Sequence, residues 1–171
     1  MNTLSIQIDE QIKSHFNHFL TANDASVNDR DITATRQKIK QIRNATDDAF
    51  VIEQIAGLEA LVKMISDETC TVSAENAALI NATIRYVLDD RDLIPDHIPG
   101  IGFIDDCIVI DNTLDVIEHE LSEFKDFSRT RMVYAKNGIF TLSDWHKIKD
   151  QESASRIRNR RQRRASLSGQ W

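Results

Sequence analysis

The stretch CIVIDNTLDVIEHELSEF, residues 107–124, decides the reading of the chain. Its apolar residues Cys107, Ile110, Leu114, Ile117, Leu121 and Phe124 recur at 3-4-3-4-3. That period belongs to one face of an α-helix, not to the alternation of a half-buried strand. The spacing predicts one continuous amphipathic helix, usable as a core face or as a seam between chains. Composition points the same way. Five Gly and two Pro in 171 residues favour long helices over a turn-rich β architecture.

Working outward, the same periodicity recurs upstream. Leu4, Ile8, Ile12, Phe16 and Phe19 predict a helix over 4–20, with His15 and His18 on its polar edge. Residues 21–30 are rich in turn formers and read as a loop. A basic helix carrying Arg36, Lys38, Lys40 and Arg43 is expected after Asp31, which can cap it. Thr46-Asp47-Asp48 reads as the next helix start, a capping hydroxyl followed by acids near the positive dipole end. Val51, Ile55, Leu58, Val62 and Ile65 then form a buried stripe, and Gly57 within it allows close approach of a neighbour. Ser73 caps a further helix with Ala77, Ile80, Ile84 and Val87 inward. Pro95 ends it near Asp92. Residues 92–102 are a proline-glycine turn, so the helices on either side are expected to pair as a hairpin. Downstream, Asn137-Gly138 between Met132–Ala135 and Ile139–Leu142 predicts a small β-hairpin near 131–142. Ser143 then caps a last helix. The expected fold is mainly α: a single-domain helical bundle over 1–150 followed by a basic tail over 151–171.

Charge divides the chain at that point. The net charge is −6, from 21 Lys+Arg and 27 Asp+Glu. Residues 151–171 hold six Arg and one acid, leaving 15 basic and 26 acidic groups in residues 1–150. With 41% apolar and 28% charged residues, the composition is that of a soluble globular chain. No apolar run reaches the length of a spanning helix, so stable membrane insertion is not expected. The first ten residues lack the basic start of a secretory signal. Cys70 and Cys107 have no metal-ligand spacing and read as reduced thiols in a cytosolic protein.

The turn between the paired helices is distinctive. Residues 86–110 read YVLDDRDLIPDHIPGIGFIDDCIVI. Tyr86, Asp89 and the run Asp92-Leu93-Ile94-Pro95-Asp96 are followed by Pro99 and Gly102, then by Asp105-Asp106 opening an apolar helix. This string resembles the core of the YkvA-like family, a small bacterial domain of uncharacterised function. The resemblance covers about 25 of the 171 residues and implies no activity. Many relatives are more apolar ahead of the motif, where this chain has Asp89-Asp90 and Arg91.

Two candidate sites follow. Asp92, Asp96, His97, Asp105 and Asp106 gather carboxylates and one imidazole around the turn, a donor set suited to Mg²⁺ or Ca²⁺. The same aspartates can also cap a tight turn and sit at a helix's positive end, with Arg85 and Arg91 at hand. The second candidate is Arg156, Arg158, Arg160, Arg161, Arg163 and Arg164, six arginines in nine positions. Such a segment is exposed or paired, and suits phosphate or carboxylate partners. No GxSxG, P-loop or HExxH is present. The expected function is a cytosolic regulatory or protein-interaction module, with a protein partner or a homo-oligomer. The alternatives are nucleic-acid binding through 156–164 and a divalent-metal enzyme at the turn.

Overall fold

The computed structural model describes residues 26–89, 102–135 and 140–168. They form six helices: α1 (Asp29–Ala45), α2 (Ala49–Ile65), α3 (Ala74–Leu88), α4 (Ile104–Val116), α5 (Glu118–Tyr134) and α6 (Leu142–Ser168). Among the described residues there is no strand. The expected helix over 4–20, with His15 and His18, lies outside the described residues, as do residues 90–101 of the turn.

Helix starts are fixed by local side chains. Asn28, not Asp31, caps α1. Its Oδ1 accepts from the N–H groups of Arg30 and Asp31, while Asp31 Oδ2 accepts from Asn28 N–H at 3.0 Å. This reciprocal box lets the helix start earlier than the first apolar residue suggests. Asp48, rather than the Thr46 hydroxyl, caps α2 through Phe50 and Val51, while Thr46 Oγ1 accepts from Asp48 N–H; Ser73 caps α3 through Asn76.

The chain divides into two compact units, Met1–Leu121 and Ser122–Trp171. In the first, α2 packs on α1, α3 and α4, while α3 packs on α1 and α4. Ile55, Leu58, Leu61, Met64, Ile80, Ile84 and Ile110 are fully buried there. A Cβ built on Gly57 would run into Leu114 Cδ1, so this glycine gives the Leu114 side chain of α4 room against α2. Helices α3 and α4 run in opposite directions: Thr83 meets Thr113, while Tyr86 meets Asp105. That is the hairpin expected around the proline-glycine turn. The Thr83 hydroxyl donates to the Leu79 carbonyl and lies 2.6 Å from Thr113 Oγ1 in the core.

Two expectations are corrected. The stripe over 107–124 is not one helix. Ile117, at φ −101° and ψ 12°, interrupts it between α4 and α5. Cys107, Ile110, Ile117, Leu121 and Phe124 are nevertheless buried, and Leu114 is half-buried. Nor does a β-hairpin begin at 131. Residues 131–134 are the last turn of α5, and Ala135 N–H still donates to Arg131 O at 2.8 Å. Buried Phe124, Phe127 and Thr130 keep helical spacing into this turn, and that packing overrides the β propensity of Met132-Val133-Tyr134. Asn137-Gly138 lies outside the described residues.

In the second unit, Phe127, Phe140 and Trp145 form an aromatic core. The Phe127–Phe140 and Phe127–Trp145 centroids are 5.6 and 6.5 Å apart. Thr141, rather than Ser143, caps α6. Its N–H and hydroxyl donate to Asp144 Oδ2, and Asp144 N–H donates back to Thr141 Oγ1.

Candidate functional site

Asp105 and Asp106 occupy the first turn of α4, where the helix dipole favours negative charge. Both are buried, at 1% and 0% exposure. Carboxylates this deep require compensation from protein groups. The Tyr86 hydroxyl of α3 donates to Asp105 Oδ2 at 3.4 Å. Lys38 Nζ of α1 lies 3.6 Å from Asp106 Oδ2. The pair therefore joins three helices. Lys38 was legible only as one of several cations on a basic helix. Its place one turn from both Thr35 and Ile42, each buried, is the signal that turns it inward.

The next residue feels the same charges. Burial first, then Asp106 and Asp105, push the Cys107 thiol up to about 12. At neutral pH it is a protonated, unreactive core side chain, as the sequence suggests. Asp92, Asp96 and His97 lie outside the described residues. Among the described residues no three His, Cys, Asp or Glu side chains gather to hold a metal ion.

The second candidate lies on α6, whose first turns are anchored. Trp145 Nε1–H donates to Asp126 Oδ2 at 2.8 Å, and Lys149 Nζ lies 2.7 Å from the same oxygen. The hydrogen bond from Lys149 holds the Asp126 carboxyl below its ordinary range, against the opposing effect of burial. Beyond these contacts the helix continues without interruption into the arginine run. Arg156, Arg158, Arg160 and Arg161 are exposed. Arg158 donates to Ser155 Oγ at 3.4 Å, and among the described residues none of the four has an ion pair. Arg163 and Arg164 lie on the same helix. The structure thus places these arginines on one regular element.

Among the described residues no helix is long and apolar enough to cross a membrane. Residues 77–110 match the family described as "Protein of unknown function (DUF1232)". A protein of Bacillus subtilis (strain 168), "Uncharacterized membrane protein YkvA", is 43% identical over 47 residues, covering 28% of this chain. The matched part is 44% of that relative's length, so this chain spans less than half of it. No solved structure matches the chain. From the first turn of α3 to the middle of α4, with the buried Asp105–Asp106 pair inside it, the chain carries a YkvA-like segment of that uncharacterised family.

Proposed function

We propose that the protein is a cytosolic regulatory or interaction module, binding an anionic partner through the exposed residues 156–162 of α6 rather than turning over a substrate. One observation carries this reading. Arg156, Arg158, Arg160 and Arg161 stand exposed, without ion pairs among the described residues, on a helix whose first turns are fixed by Trp145 and Lys149. Guanidinium groups held in that way are available for bidentate contacts with carboxylate or phosphate. An acidic protein surface, including that of a second copy, meets this requirement. Cys70 and Cys107 are not joined in a disulfide, which suits a reducing compartment.

The test compares the full chain with the R156Q/R158Q/R160Q/R161Q variant. Proteins crosslinked to each are identified, and the complexes are rebuilt from purified components. The expected result is a defined complex, or a defined oligomer in light scattering, that dissociates with salt and is lost in the variant. A chain that stays monomeric and rebuilds no complex with any captured protein or polyanion overturns the reading.

A further inference from the structure

We infer that the exposed stretch of α6 at residues 156–162 is an RNA-reading helix that enters a major groove opened by unpaired bases. This rests on the preceding reading of the same arginines and names the class of partner. The discriminating residues are Asn159 and Gln162, both exposed and interleaved with the arginines. Arginine serves any anion. A carboxamide offers an adjacent donor and acceptor, which pair with the edge of an adenine but gain little from a carboxylate surface.

The arrangement around the helix adds a second argument. At about 100° per residue, Arg156, Arg160, Arg161 and Arg158 fall near 0°, 40°, 140° and 200°, with Gln162 and Asn159 near 240° and 300°. Polar contacts are therefore offered all round. The wide groove of B-DNA is read from one helix face, whereas the deep groove of an RNA helix encloses whatever enters it. That groove is too narrow unless a bulge or internal loop widens it, so the partner carries unpaired bases. Residues 156–164 contain no aromatic side chain, which removes the stacking platform that single strands use. They also form no apolar face, Ile157 being the one large apolar residue, which disfavours a lipid surface. Like charges at Arg156 and Arg160 repel along the helix, and phosphates on either side would relieve that repulsion.

The full-length chain is tested by fluorescence anisotropy against four probes. These are an RNA hairpin library randomised in its internal loop, the corresponding fully paired RNA, DNA hairpins of the same design, and poly-L-glutamate. The expected result is selection of looped RNAs that bind about tenfold or more tighter than the paired form. N159A/Q162A is expected to remove that preference while leaving the salt slope unchanged. R156Q is expected to reduce the slope by about one for every probe. Equal binding of looped RNA, paired RNA and DNA overturns the inference, as does equal competition by poly-L-glutamate. In those cases the anionic-partner reading stands. Failure to bind any of the four overturns the inference, and the anionic-partner reading then falls if no protein complex is rebuilt either.

Discussion

Asp106 is among the fully buried polar residues of the first unit. Its carboxylate is buried at a helix start, and Lys38, at 3.6 Å, belongs to another helix. Lys38→Met removes that cation from a buried carboxylate and is expected to lower stability by about 3 kcal/mol, measured by urea unfolding. Asp106→Asn in the Lys38→Met background should restore part of the loss, because it removes a buried charge that has lost a neighbouring cation. Millimolar Mg²⁺ or Ca²⁺ is expected to leave the melting temperature unchanged, since Lys38 already brings positive charge to Asp106. A rise that disappears in Asp105→Asn would bring Asp92, Asp96 and His97 into play as ligands. The carboxylates themselves were legible, because two aspartates opening an apolar run read as a helix start. Tyr86 and Lys38 were not legible as their partners. Both contacts depend on which helices pack together, and a single sequence does not carry that information.

At the scale of elements, the apolar period located α2, α3 and α4, and small polar residues misled at the starts of α1 and α6. Asn28 and Thr141 cap where Asp31 and Ser143 were expected, because all four are competent caps and only backbone geometry chooses between neighbours. The supposed strand at Met132–Ala135 failed for a different reason. Four residues are too few to establish a period against a helix already running into them. Gly57 was read correctly as a close-approach position. Gly57→Val is expected to cost about 1–3 kcal/mol, and Leu114→Ala in the same chain to return part of it, as measured by thermal unfolding. The α5–α6 contact has its own pH signature. Asp126 titrates below its ordinary 3.8 when folded, chiefly through Lys149. Its contribution is therefore complete above that ordinary value and is lost as pH falls through the lowered one. In a Trp171→Phe background, Trp145 fluorescence is expected to report a urea midpoint that drops on acidification below about pH 4, and less so in Asp126→Asn.

For the whole molecule, the net charge of −6 is the sum of a strongly acidic body and a cationic helix end, and the two call for different partners. The two compact units also differ in their interiors. The first has the aliphatic residues of four helices. The second leans on Phe127, Phe140 and Trp145. Phe127→Ala is expected to cost about 3–5 kcal/mol and to shift Trp145 emission to longer wavelength. Circular dichroism should meanwhile retain most of the helical signal, which comes from the first unit. Aliphatic stripes alone would let α3 and α4 slide past each other by a turn at little loss of contact. The buried hydroxyls of Thr83 and Thr113 oppose it, because a shifted pairing takes Thr113 away from its partner and leaves Thr83 with only the bond to its own helix. These two positions are thus bound to a common fate. Among relatives that keep this hairpin, a change at one is expected to be accompanied by a change at the other, leaving a record of the register in the pattern of covariation.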